Sequence, residues 1–336
     1  MAVLGACAGW SLITAAAHDG RPEGVLLAVL AVAAGYAAGR IGGALLPVGA
    51  PLAGALAGIG LTVAVPHLAP GPQITTPLGH AGASAAVLTL SAGAVCCAAW
   101  TARAAAVRLV LRLLAAGIAV LAAGIGSTSG CVAAGAVLVC SLVAGRIRHR
   151  GAGLAALVAF GAFATGLSWA IAAGAVPGSF TAALEGGLTA HRIELWRDAW
   201  HLLRENVALG AGPGRFGELS AASAASPLSD GRPHSAPLQQ AAEQGVVGAA
   251  LLAAAFGWTI YALWRGPRPT PVALTAGAAL TALAVIAGLG NALSFTAVSA
   301  GAGVLAGLAT ARPLVHAPSS RAPDPHPRDA GRTRAW

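Results

Sequence analysis

Long stretches of this chain carry almost no charge, and no acidic residue occurs between Gly24 and Leu184. The 336 residues are 57% hydrophobic and only 9% charged, whereas a soluble globular domain carries roughly 25% charged residues. In hydrocarbon every backbone polar group must find its partner inside the protein, which helices achieve within a single segment. The composition therefore predicts an all-α polytopic membrane protein and excludes an ordinary soluble enzyme.

Ten apolar segments are candidates for membrane spans, because a helix needs about 20 mainly apolar residues to cross the hydrocarbon core. The predicted spans are residues 2–17, 24–46, 48–66, 81–100, 109–127, 131–145, 152–174, 245–264, 271–290 and 292–310. Many of their residues are Ala or Gly, which allow helices to approach each other closely. We therefore expect about ten transmembrane helices in a tight bundle.

Arginines set the expected orientation, because short cytoplasmic loops carry an excess of positive charge. All 20 basic residues are Arg, and three short connections hold seven of them: Arg103, Arg108, Arg146, Arg148, Arg150, Arg265 and Arg268. Alternation then places both termini in the cytoplasm. The predicted regions are an N-terminal transmembrane bundle (1–174), an extracytoplasmic loop (175–244), C-terminal transmembrane helices (245–311) and a disordered basic cytoplasmic tail (312–336). The net charge of +9 follows this topology and forms no nucleic-acid-binding stripe.

Charge returns in the predicted extracytoplasmic loop, where seven of the 11 acidic residues lie between residues 185 and 243. Apolar side chains recur at helical spacing along residues 191–206: Ile193, Trp196, Trp200 and Leu203. This spacing predicts an amphipathic helix at the membrane interface, with both tryptophans as anchors. A glycine-rich turn follows at residues 210–217, and a second helix begins after His234 and Ser235. We expect the polar chemistry of the protein in this loop.

The loop resembles the O-antigen ligase and polymerase-related family of bacterial membrane glycosyltransferases. The family pattern has an Arg shortly before a Trp, a Gly-x-Gly turn followed by Phe, a His-Asn or His-Ser pair, a Leu, and a Glu-x-Gly leading into a membrane helix. The matching residues are Arg192, Trp196, Gly210, Gly212, Gly214, Phe216, His234, Ser235, Leu238, Glu243, Gly245 and Gly248. The resemblance covers about residues 110–260. The family also has an upstream membrane helix in which a Ser is directly followed by an Arg. The chain departs from this element, because Ser129 is followed by Gly130.

The resemblance implies a GT-C-like fold in the bacterial plasma membrane. It also implies transfer of a glycan from an undecaprenyl-diphosphate carrier to an acceptor hydroxyl on a glycan, a lipid or the cell wall. Arg192 is expected to bind the diphosphate, and so is Arg215 in the glycine turn, because guanidinium groups bind phosphate oxygens bidentately and stay charged. His234 is expected to activate the acceptor hydroxyl, since imidazole exchanges protons near neutral pH. No cofactor or metal is expected, because the sequence has no Asp-x-Asp motif or clustered carboxylate and His ligands.

Three alternatives remain open at this level. Ligase and polymerase activities cannot be separated, because both use the same donor. A transporter or flippase for a lipid-linked glycan would be marked by charged residues within spans or by paired broken helices. An inactive or scaffolding relative is the third alternative, and the departure at Ser129 favours it.

Overall fold

The computed structural model describes residues 2–68, 79–176, 190–225 and 231–312, and all secondary structure within these ranges is helical. The predicted cytoplasmic tail beyond residue 312, and residues 177–189 and 226–230 of the predicted loop, lie outside the described residues. The helices are α1 (Ala2–His18), α2 (Glu23–Leu45), α3 (Gly49–Leu68), α4 (Gly79–Thr101), α5 (Ala105–Gly124), α6 (Thr128–Ala144), α7 (Arg150–Ala172), α8 (Ala190–Glu205), α9 (Phe216–Leu219), α10 (Ala221–Ala224), α11 (Ala236–Arg265), α12 (Thr270–Gly288) and α13 (Thr296–Thr310), with a 3-10 turn at Ala292–Ser294.

Six of the described helices are long and apolar enough to cross a membrane, namely α2, α4, α5, α7, α11 and α12. Four shorter apolar helices accompany them in α1, α3, α6 and α13. These helices lie where the apolar segments predict them, and the chain is an α-helical membrane protein. A helix of 17 residues such as α6 extends only about 25 Å, against roughly 30 Å of hydrocarbon. The count of ten spans therefore stays a prediction.

Two helices, α4 and α12, form the centre of the bundle, since most of their residues are buried. One hydrophobic core joins them to α5, α6 and α13, so helices from both ends of the chain share it. The surrounding helices expose large apolar side chains instead, including Val120 (71%), Val132 (72%) and Phe163 (71%). Such an apolar surface is stable in contact with lipid and not in water, which agrees with a bilayer environment.

Glycines bring α2 and α13 into backbone contact along a parallel pair. A Cβ added at Gly39 would lie 2.9 Å from the carbonyl carbon of Val304, and closer still to its oxygen. One added at Gly303 would lie 2.9 Å from the backbone nitrogen of Tyr36. Gly35, Gly43 and Gly307 repeat these close approaches at four-residue intervals. Small residues at this spacing allow two membrane helices to pack closely by van der Waals contact.

Two of the arginines predicted to be cytoplasmic bind main-chain carbonyls. Arg150 donates to the carbonyls of Leu263, Gly266 and Arg268, around the C-terminus of α11. Arg268 donates to the carbonyl of Gly43 in α2 at 2.6 Å. Because the last carbonyls of a helix have no partner within the helix, these guanidinium groups satisfy them and tie α2, α7 and α11 together.

The amphipathic helix predicted over residues 191–206 is confirmed as α8. Its apolar side packs against the end of α7 and the first turns of α11, and forms a second, smaller core with Phe216 and Leu238. Trp196 is fully buried in this core. The prediction that Trp196 anchors the helix at the membrane interface is therefore wrong, because its ring packs against protein. Trp200 is half-buried and makes an edge contact with Trp169, with ring centroids 5.9 Å apart.

Candidate functional site

The second helix predicted after His234 is confirmed as α11, but it is broken at Gly245. This residue has φ 69° and ψ −170°, outside the helical region. A side chain would strain this positive φ, and a Cβ would also lie 2.7 Å from the carbonyl oxygen of Val207. The break divides α11 into a first part, residues 236–244, that packs against α8, and a longer apolar part, residues 246–265.

Backbone groups on both sides of the break hydrogen-bond to other segments of the chain. The carbonyls of residues 242–244 accept from the backbone of Ala211 (2.8 Å), the backbone of Gly212 (2.9 Å) and the indole of Trp10 (3.0 Å). Beyond the break, the backbone N–H of Val246 donates to the carbonyl of Val207 at 2.9 Å. Broken helices persist at membrane depth only where protein or water satisfies their backbone, and here the glycine-rich turn and α1 do so.

The glycine-rich turn therefore supplies hydrogen-bond donors to the carbonyls at the break in α11. Gly210, Gly212 and Gly214 all have positive φ, and a Cβ at Gly210 would lie 2.5 Å from the backbone nitrogen of Gln244. The N–H of Gly214 donates to a carboxylate oxygen of Glu243 at 3.0 Å. Since these N–H groups are engaged by protein acceptors, the turn is not arranged as a phosphate-binding loop of the kind that presents its amides to a ligand.

The connection between α1 and α2 holds the same turn from the other side. The backbone N–H of Arg21 donates to the carbonyl of Pro213 at 2.7 Å. Arg215 donates from Nη1 to the carbonyl of His18 at 2.9 Å and pairs with Glu218 at 3.7 Å. Arg215 thus caps the C-terminus of α1, and its predicted contact with a diphosphate stays a prediction.

Arg192 lies in the first turn of α8 and is only 7% exposed. Its Nη1 donates to the carbonyl of Leu289, at the C-terminus of α12, over 3.3 Å. Burial lowers the pKa of the Arg192 guanidinium from its usual range, because removal from water disfavours the charged form. The structure places this arginine as a link between α8 and α12.

His234 is half-buried immediately before Ser235, the N-cap residue of α11. Its backbone has φ 51°, a left-handed conformation that is uncommon for residues other than glycine. Such a conformation fixes the direction of the side chain relative to α11. The predicted role of this imidazole as a proton acceptor stays a prediction.

A cavity with a volume of about 1200 Å³ is bounded by α1, α2, α7, α11, α12 and α13. One end is polar and is lined by Arg21, Glu23, Gly214, Glu218, Arg232, Gln239 and Glu243. Beyond it the lining is mainly apolar along the helices. Typical pockets for small molecules measure roughly 300–1,000 Å³, so the volume suits an amphiphile larger than a drug-sized molecule.

The three residues predicted for the site, Arg192, Arg215 and His234, lie outside the lining of this cavity. Two arginines that sequence reasoning did not select, Arg21 and Arg232, do line its polar end. The sequence contained a signal for each of these two arginines. Arg232 is two residues before His234, and the predicted orientation places the turn around Arg21 on the same side of the membrane as the loop.

Glu243 is the most buried carboxylate at the polar end, with 4% of its surface exposed. It accepts from Gln239 Nε2 at 3.1 Å and from Gly214. These two bonds fix Glu243 between the glycine turn and the wall of the cavity. Among the described residues, no group of three or more His, Cys, Asp or Glu side chains could hold a metal ion.

Comparisons with known proteins identify no relative. No protein-family model, curated protein or solved structure matches the chain. The resemblance of the loop to O-antigen ligases is thus carried by the residues alone.

Proposed function

We propose that this chain is a membrane glycosyltransferase that moves a glycan from an undecaprenyl-diphosphate carrier to an acceptor hydroxyl in cell-surface polysaccharide assembly. The observation that carries the proposal is the cavity, whose polar end leads into an apolar section between membrane helices. An isoprenoid lipid with a diphosphate and sugar head has the same division into polar and apolar parts.

The polar end carries charges of both signs, which suits a head that combines a diphosphate with sugar hydroxyls. In the proposed complex Arg21 and Arg232 bind the diphosphate oxygens, because guanidinium groups form charge-assisted hydrogen bonds to phosphate. Glu23 and Glu243 accept hydrogen bonds from sugar hydroxyls. Arg192 and Arg215, which donate to main-chain carbonyls, support this arrangement from outside the cavity.

In the proposed reaction the bond between the anomeric carbon and the diphosphate oxygen breaks, and the electron pair leaves with the lipid diphosphate. The acceptor oxygen forms the new bond to the anomeric carbon, and His234 takes up the proton of the acceptor hydroxyl. Fixed cations that stabilise the growing negative charge on a leaving group are often the largest contribution to catalysis. This is the role assigned to Arg21 and Arg232, with no metal in the scheme.

A transporter of the lipid-linked glycan is a second candidate, and the break in α11 favours it. Broken membrane helices often form substrate sites in transporters, usually as a pair with free helix ends. The described residues show one such break, and its polar groups named above are satisfied by Trp10, Val207, Ala211 and Gly212. The enzyme is therefore the better supported of the two.

Gene deletion in the native host, followed by complementation, tests the proposal. Wild type, His234→Ala, Arg232→Gln and Arg192→Gln are compared with Arg197→Gln, an exposed arginine on α8, at matched membrane abundance. We expect wild type and the control to restore the surface polymer. His234→Ala and Arg232→Gln should leave lipid-diphosphate glycan accumulating on the outer face.

Other outcomes would overturn the assignment. Accumulation on the cytoplasmic face would favour the transporter. Full rescue by both His234→Ala and Arg232→Gln would show that neither the polar end of the cavity nor the loop takes part in the reaction. This result would favour a scaffolding role.

A further inference from the structure

We propose that the ring pair Tyr36–Trp258 closes the deep end of the cavity and limits how much of a lipid tail the protein can hold. This inference rests on the proposed function, because it assigns the apolar section to the isoprenoid tail of the carrier. It adds an upper limit on the length of lipid tail that the protein can hold.

The lining residues give the cavity a definite depth. On α2 they begin at Glu23 and end at Tyr36, thirteen residues further along the helix. A helix rises 1.5 Å per residue, so the cavity extends roughly 20 Å along α2. This is about two-thirds of the roughly 30 Å hydrocarbon thickness of a bilayer. On α2 the lining therefore stops at Tyr36, although the helix itself continues to Leu45.

Tyr36 and Trp258 meet at this depth from two different helices. Trp258 and its neighbour Thr259 are the last lining residues of α11. The two rings are 5.6 Å apart between centroids and inclined at 59°, a separation and tilt typical of attractive aromatic pairs. The rings join α2 and α11 at the last lining residue of α2, and in the proposal they form the floor of the cavity.

Contacts on the opposite side hold the floor in place. The hydroxyl of Thr310 on α13 lies 3.2 Å from the hydroxyl of Tyr36, and the guanidinium of Arg40 lies 5.9 Å from the centre of its ring. The glycine contacts between α2 and α13 also fix the backbone of Tyr36. A floor fixed by two helices is suited to stop a hydrocarbon chain, since closely packed interiors resist displacement of their side chains.

The consequence is a limit on the chain length that contributes to binding. Isoprene units that enter the cavity lie against apolar side chains and add to the affinity, whereas units beyond the floor must leave between the helices into the bilayer. Affinity is then expected to rise with chain length up to the depth of the cavity and to stay level for longer chains, including undecaprenyl.

Binding of prenyl monophosphates of increasing length to the purified protein tests this inference. The probes are farnesyl, geranylgeranyl, solanesyl and undecaprenyl monophosphate, and the dissociation constant is measured for each. For wild type we expect affinity to rise from farnesyl to geranylgeranyl and then to stay level. Trp258→Ala opens the floor, so affinity should continue to rise to solanesyl. Ala255→Phe fills the cavity one turn above the floor and should make affinity level from farnesyl onward.

Two further variants keep the test decisive. Trp264→Ala removes a tryptophan of the same helix that lies outside the cavity lining, and its length profile should match that of wild type. Tyr36→Leu opens the floor from α2, so the result does not depend on the folding of one variant. Unchanged profiles in Trp258→Ala, Tyr36→Leu and Ala255→Phe, with prenyl phosphates bound, would overturn the floor alone. If wild type bound none of the four lipids, both the floor and the lipid-carrier assignment would fall.

Discussion

Replacing Gly39 with Ala is expected to force α2 and α13 apart, because the new methyl group would occupy space that the α13 backbone already fills. Its Cβ would lie 2.9 Å from both the Cα and the carbonyl carbon of Val304. Real Cβ atoms do not approach backbone atoms this closely, so one helix must shift. No side-chain rotation can relieve the contact, since both neighbouring groups belong to the main chain.

The size of the effect follows from two opposing contributions. Overpacking of a well-packed interface costs about 1–3 kcal/mol. Ala is a better helix former than Gly by roughly 1 kcal/mol, which offsets part of this cost. Gly117→Ala on α5 is a matched control, because a Cβ at that position has no neighbour within 4 Å. Both variants gain the same helix propensity, so the difference between them isolates the packing cost of about 1–3 kcal/mol.

The free energy of unfolding of both variants can be measured by reversible SDS titration in mixed micelles. We expect Gly39→Ala to unfold at lower SDS content than Gly117→Ala, and Gly117→Ala to equal or exceed wild type. If Gly39→Ala were as stable as Gly117→Ala, the two backbones would not touch at this point, and the account of the α2–α13 pair would be refuted.

Three further substitutions test the loop and the helix break. Gly245→Ala should destabilise the protein by about 1–3 kcal/mol from backbone strain alone. Gly257→Ala on the same helix, where a Cβ has open space, should be neutral or stabilising in the same titration. Trp10→Phe removes the donor to a carbonyl freed by the break and should cost about 1–3 kcal/mol; a melting temperature equal to wild type would show that this bond contributes nothing. Arg192→Met should lower the unfolding free energy by about 1–3 kcal/mol, because a buried hydrogen bond is lost. Arg197→Met replaces an exposed arginine of the same helix and should change it by less than about 0.5 kcal/mol. Equal effects of the two substitutions would contradict the assigned link to α12.

The helices themselves could be predicted well from the sequence. Apolar segments at 24–46 and 152–174 became α2 and α7 with boundaries shifted by only one or two residues. The amphipathic spacing of Ile193 and Leu203 likewise predicted α8. These predictions succeed because length and hydrophobicity of a segment are local properties, and a helix satisfies its own backbone.

The candidate site could be predicted only in part. The sequence indicated the loop and its glycine turn, but it could not indicate that the turn satisfies a break in α11, because that pairing joins residues more than 30 positions apart. It also selected Arg192 and Arg215 for their charge, whereas their contacts with the carbonyls of Leu289 and His18 depend on which helix ends lie nearby.

The sequence by itself thus determined that this protein is helical, that it belongs in a membrane, and where most of its helices begin and end. The tertiary structure alone decided which arginines line the cavity, how far its lining extends along each helix, and that Tyr36 and Trp258 meet there. The physical reason is that hydrophobicity acts through the composition of each segment. A cavity arises instead from the spaces left between helices, and these spaces depend on every close contact in the bundle, including those of Gly39 and Gly303.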